Sequence, residues 1–136
     1  MFENINEVSV LVAAIVASAV GSIWYSPLLF GAVWMKSIGF TMEEGEMPKR
    51  EMMIASTKGV LTQVVFFFII AKFIAVSEGN GLSILTMGIS LIILSGVYLM
   101  QSVIWERRPL TYFFVQMGYV AIALLGGVAI IAYWPW

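Results

Sequence analysis

Residues 109–136 read PLTYFFVQMGYVAIALLGGVAIIAYWPW, 28 residues without one charged side chain. About 20 apolar residues in a helix cross the hydrocarbon core of a bilayer, so this stretch alone is long enough to span. Working outward, residues 79–105 form a second charge-free run of 27 residues and residues 8–35 a third of 28. The whole 136-residue chain is 61% hydrophobic and carries seven Lys or Arg and eight Glu. A soluble domain is usually about half apolar and a quarter charged. Most of this chain therefore belongs in lipid.

A fourth crossing is less obvious, because residues 52–77 contain Lys58 and Lys72 with only 13 uncharged residues between them. Helix over that interval rises about 21 Å, and a Lys stem reaches several Å further toward water at each end. The two lysines fall within about 40° of each other on a helical wheel, so one side carries both. The expected fold is all-α: a single transmembrane domain over residues 1–136, an antiparallel bundle of four helices at about 8–26, 52–77, 82–105 and 110–134. The turns Glu78-Gly79-Asn80-Gly81 and Glu106-Arg107-Arg108-Pro109 are tight, which predicts antiparallel neighbours.

Pro27 interrupts the first apolar pattern, which otherwise continues through Trp34 and Met35. Proline removes a backbone donor and disfavours helix at the residue before it, so the first helix should break here. A short interfacial helix over residues 28–38 is expected next, ending near Gly39. The polar segment 41–51 follows, with Thr41 and Glu44 at capping-box spacing and Pro48 placed to start the next helix. Met1 to Glu7 has two Glu and no basic residue, so the first apolar run reads as a retained helix and not as a secretory signal. Lys36, Lys49, Arg50 and Lys58 flank the first loop, Arg107 and Arg108 lie in the third, and only Lys72 belongs to the other side. Short basic loops stay in the cytoplasm, which places the 41–51 loop inside and both termini outside.

The chain has no His, no Cys and no Asp. Thiol and imidazole chemistry are excluded, as are metal sites with those ligands. No Glu lies well inside a span, so the sequence reads as a non-enzyme with no cofactor and no metal site. A net charge of -1 gives no general attraction to nucleic acid.

Gly21-Ser22-Ile23-Trp24-Tyr25-Ser26-Pro27-Leu28-Leu29-Phe30-Gly31, followed by Trp34-Met35-Lys36, resembles the signature of the domain-of-unknown-function family numbered 1761, small bacterial integral membrane proteins. Trp105-Glu106-Arg107-Arg108-Pro109 and Gly118-Tyr119, ahead of a Gly-rich closing helix, resemble that family's third loop and last span. The family often has a basic residue after the Phe-Gly pair and a His after the Gly-Tyr pair, where this chain has Ala32 and Val120. The resemblance implies a multi-pass protein of the bacterial cytoplasmic membrane and brings no established activity. Its motif residues here are Trp24, Tyr25, Ser26, Pro27, Gly31 and Trp34.

Two readings of that motif stay open: an aromatic belt at the membrane boundary, or a broken helix whose Ile23 carbonyl, deprived of its partner by Pro27, faces a ligand or cavity. Depth arithmetic gives a second candidate. Gln63, Gln101 and Gln116 each fall roughly 8 to 11 Å inside the cytoplasmic boundary, on three different helices. Tyr112 and Tyr119 share a face with Gln116, and Tyr98 lies one turn before Gln101. Such a polar layer should face the bundle, as hydrogen-bonding glue or as a small-ligand vestibule. Glu106, Arg107 and Arg108 are candidates for contact with lipid headgroups or a partner, or simply anchor topology. Glu43, Glu44 and Glu46 read as a solvated charge run. Small residues at Ala14, Ser18, Gly21 and Ser22, and at Gly118, Gly126 and Gly127, suit close helix packing.

Together these features predict an interaction or assembly protein that forms a homo-oligomer or a complex with lipid or a protein partner. The alternative is a small-solute channel or transporter that uses the Gln and Tyr layer.

Overall fold

A computed structural model describes residues 5–39, 49–80 and 83–135, without the side chains of residues 77–80. The expected Thr41–Glu44 capping box, the Pro48 helix start and the run Glu43, Glu44, Glu46 lie outside the described residues. All regular structure among the described residues is helical: α1 (Glu7–Trp24), α2 (Gly31–Ser37), α3 (Lys49–Asn80), α4 (Ile84–Trp105) and α5 (Leu110–Ala132). α1, α3, α4 and α5 are each long and apolar enough to cross a membrane. The fold is all-α and polytopic, with a first helix broken at its proline.

Local chemistry sets the ends of α1. Asn6 caps the start by accepting from the Ser9 N–H through its side chain at 3.0 Å, and Glu7 places a negative charge on the first turn. The helix stops at Trp24, where Tyr25 N–H still reaches the Gly21 carbonyl at 3.0 Å but Pro27 has no N–H to continue. The chain then turns through residues 25–30. Phe30 and Gly31 donate back to the carbonyls of Trp24 and Ser26 at 3.0 and 2.9 Å. A Cβ on Gly31 would lie 2.5 Å from the Tyr25 carbonyl oxygen, so this turn closes only around glycine. The separate helix starts at Gly31 because these turns occupy residues 27–30. It ends with Gly39 at φ 77°, a left-handed C-terminal glycine.

α1, α3 and α5 pack on one another around an apolar core. Val10, Ala13, Ala14 and Ala17 form a stripe of small side chains on α1 at helical spacing, which lets its neighbours approach closely. Phe67 of α3 is fully buried and seats its ring where a Cβ on Gly127 of α5 would be 1.9 Å away. α3 runs past both ends of the expected span. Its N-terminal residues 49–59 are exposed on every side, and packing begins further along, at Phe67, Ile70, Ala71 and Ile74.

One expectation from loop length needs correction. α4 packs along its length on α5, with Gly88 against Leu125 and Gly96 against Met117, and among the described residues it has no comparable packing on α3, to which it is directly joined. Two glycines let α4 settle closely on α5, and a short connection fixes only where α4 begins.

Candidate functional site

Polar and aromatic side chains from α1, α2, α3 and α5 meet at the end of α1. Trp24 donates from Nε1 to the Val115 carbonyl of α5 at 3.0 Å. The indole can lie this close because Gly118 has no side chain: a Cβ there would stand 2.6 Å from Trp24 Cζ2. The next residue, Tyr25, donates its hydroxyl to Gln116 Oε1, and Gln116 Nε2 approaches the Tyr112 hydroxyl at 3.4 Å. The ring of Tyr25 packs edge-on between Trp34 of α2 at 5.2 Å and Tyr119 of α5 at 5.5 Å.

Tyr119 carries the second half of the cluster. Its hydroxyl donates to the Ala17 carbonyl at 2.9 Å and accepts from Gln63 Nε2 of α3 at 2.9 Å. Gly21, one turn beyond Ala17, makes room, since a Cβ there would meet the phenol oxygen at 3.1 Å. One hydroxyl thus ties three helices together. Pairing these polar groups with one another offsets the cost of burying them and fixes helix rotation.

The two stretches that carry the family resemblance are therefore one structure. Trp24 and Tyr25 from the first dock onto Gly118 and Tyr119 from the second, Trp34 backs the Tyr25 ring, and Pro27 and Gly31 shape the turn between them. The Ile23 carbonyl is not left bare by the proline. Ser26 covers it twice, from its N–H at 3.2 Å and from its Oγ at 2.7 Å, which removes the basis for a ligand-facing carbonyl there. Trp34 Nε1 is buried and has no hydrogen-bond partner among the described residues.

Gln63 and Gln116, with Tyr112 and Tyr119, reach this cluster; Gln101 and Tyr98 do not. They point away from the bundle, because α4 meets the other helices through α5 and both side chains lie off that contact. Gln101 is exposed and accepts from Trp105 Nε1 one turn along its own helix at 2.9 Å, while Tyr98 is 81% exposed. The expected three-helix amide layer is thus a two-helix layer completed by tyrosines. In the third loop, Arg108 pairs with Glu106 at 3.5 Å, lies over the Tyr112 ring at 5.6 Å and donates to the Ile38 carbonyl at the end of α2 at 3.4 Å. Arg107 takes a left-handed conformation, φ 55°, and is exposed.

The sequence offers Gly21 and Gly118 as close-packing residues without the rings they seat, and it gives no sign of the link from Arg108 to α2. The spacing Gly21-x-x-Trp24-Tyr25 and the pair Gly118-Tyr119 were the available signals for the sockets; nothing in the sequence pointed to the Ile38 carbonyl. Two clefts open beside the cluster and share Gly59, Gln63 and Tyr119. One, of about 290 Å³, lies between α1 and α3 with Ser18, Ser22 and Ser56 on its walls. The other, of about 390 Å³, lies between α3 and α5 and is mostly apolar, with Thr62 and Phe66 on its α3 side.

No curated protein and no solved structure matches the chain. A family model described as "Protein of unknown function (DUF1761)" matches residues 8–132, nearly the whole length. With its helix break, its aromatic clamp and its closing helix all inside that match, the chain belongs to the DUF1761 family.

Proposed function

We propose that this chain is an assembly protein of the bacterial cytoplasmic membrane, acting through the outer surfaces of its helices on lipid and on a second copy of itself. The observation that carries this reading is the fate of its polar side chains. Gln63, Gln116, Tyr25 and Tyr119 are engaged with one another inside the α1, α3 and α5 packing, whereas the outer side of α4 is left open along most of its length. The inner cluster then works as structural glue, and the open surface is what the protein offers to its surroundings. No catalysis is proposed, because the chain has no imidazole or thiol and its carboxylates lie at helix ends or in connections, none well inside a span.

The orientation that goes with this reading puts both termini outside the cytoplasm. Its support is the grouping of Lys36, Lys49, Arg50, Lys58, Arg107 and Arg108 near the α2, α3 and third-loop end, against Lys72 alone toward the other. Gentle extraction from native membranes, followed by mass measurement of the intact complex and identification of what stays bound, tests the assembly reading. Recovery of lipid and a second chain is expected.

A second reading, a small-solute pathway, is favoured by one observation: both clefts open onto the Gln63 to Tyr119 hydrogen bond. Solute flux in liposomes holding the purified protein separates the two. Flux lost in Gln63→Leu at unchanged thermal stability supports a pathway, and no flux supports assembly.

A further inference from the structure

Tyr98, Gln101 and Trp105 are the exception to the way this molecule treats polar side chains in its spans. Trp105 is 79% exposed and closes α4. Gln101 lies one turn inside it and Tyr98 two, about 6 and 10 Å deeper along the helix axis. Gln101 Oε1 accepts from Trp105 Nε1, but neither Gln101 Nε2 nor the Tyr98 hydroxyl has a partner among the described residues. Acyl chains have no donors or acceptors, so a primary amide and a phenol turned toward them are left with their polar groups unpaired.

These residues also sit in a pattern. Ser90, Leu94, Val97, Gln101 and Ile104 are all exposed and follow alternating spacings of four and three, the seam of a left-handed helix pair. Tyr98 and Trp105 take the flanking position beside that seam in successive heptads. On its other side α4 is held by α5 at Gly88 and Gly96, so the seam lies on the part of α4 that its own chain does not cover.

We infer that this seam of α4 is an interface between two parallel copies of the chain, related by a two-fold axis along the membrane normal, with their Gln101 amides paired across the axis. The inference rests on the self-association proposed above and names its surface. A second copy fits better than any other occupant because a two-fold of this kind brings each residue to its own depth on the partner. The amide is self-complementary: Nε2 of one copy donates to Oε1 of the other, and the reverse. A single polar residue at such a seam position also fixes register and favours one oligomeric state. Lipid offers no hydrogen bond at this depth, and a different protein would need its own matched polar group there.

The chain has no cysteine, so single cysteines can be placed without background. Leu94→Cys, Val97→Cys and Gln101→Cys, oxidised in native membranes, should each form a disulfide-linked species of twice the 15.1 kDa chain mass. Leu61→Cys and Phe114→Cys, exposed on α3 and α5, should form little. Gln101→Leu should weaken the dimer roughly eightfold, the loss expected of the two reciprocal interhelical hydrogen bonds. Three cysteine positions keep the test decisive if one variant folds poorly. A dimer by mass that never cross-links through α4 overturns this interface and leaves self-association standing. A single chain at every concentration overturns both. A cross-linked product heavier or lighter than two chains overturns the second copy as the occupant.

Discussion

The indole of Trp24 lies over the bare backbone of Gly118, at the distance that lets its Nε1 donate to the Val115 carbonyl at 3.0 Å. A ring that cannot flex meets a helix backbone, so any side chain at Gly118 must displace Trp24 and break that bond. Gly118→Ala should therefore lower stability by about 1–3 kcal/mol, the usual effect of overpacking. Gly127→Ala should be at least as damaging, because its Cβ would fall 1.9 Å from the buried Phe67 ring. Gly126→Ala meets nothing within 4 Å and should be neutral or slightly stabilising. Thermal unfolding in detergent, followed by tryptophan fluorescence, ranks the three.

The hydroxyl of Tyr119 joins α1, α3 and α5 through Ala17 and Gln63. Tyr119→Phe should cost about 0.6 kcal/mol for each interhelical bond lost, and at most about 2 for each. Gln63→Leu in the Tyr119→Phe background should add less than it does alone, because its Nε2 has already lost that acceptor. A double-mutant cycle on thermal or denaturant unfolding measures this coupling. Simple additivity would contradict the shared bond.

Arg107 holds φ at 55°, a conformation that suits glycine. Arg107→Gly should raise stability by up to about 1 kcal/mol, through relief of backbone strain. Its exposed side chain makes this gain readable in the same unfolding assay. Arg108→Ala should move the other way by less than about 1 kcal/mol, since it loses the contacts to Glu106, Tyr112 and the Ile38 carbonyl in a half-exposed loop.

Three spans could be read from charge-free runs, the fourth from the reach of Lys58 and Lys72, and the helix break from Pro27. Helix rotation could not. Gln63, Gln101 and Gln116 share a depth because depth is a count of residues, yet which way each points depends on which helix packs against which. In helices apolar on nearly every side, little polar contrast marks an inner face. Gln101 is expected to face inward because an amide turned to lipid is costly, and the packing of α4 on α5 turns it out. The Ile23 carbonyl failed as a ligand site for another reason: Ser26, the residue restricted by the following proline, is itself the donor that covers it. The sockets at Gly21 and Gly118 are long-range fits to Tyr119 and Trp24, and sequence spacing shows small residues without showing what fills the space.

The orientation is checked by two cysteines in exposed positions. Ser83→Cys, before α4, should react with a membrane-impermeant maleimide on intact cells. Glu106→Cys, after α4, should react only once the membrane is opened. Labelling of Glu106→Cys on intact cells with Ser83→Cys protected would reverse the topology.

The most direct test of the account is the mass of the intact protein, extracted with its surrounding lipid and held in lipid nanodiscs over a range of concentrations. Self-association predicts a complex of two chains, twice 15.1 kDa plus bound lipid, that persists on dilution. A single chain at every concentration would contradict it.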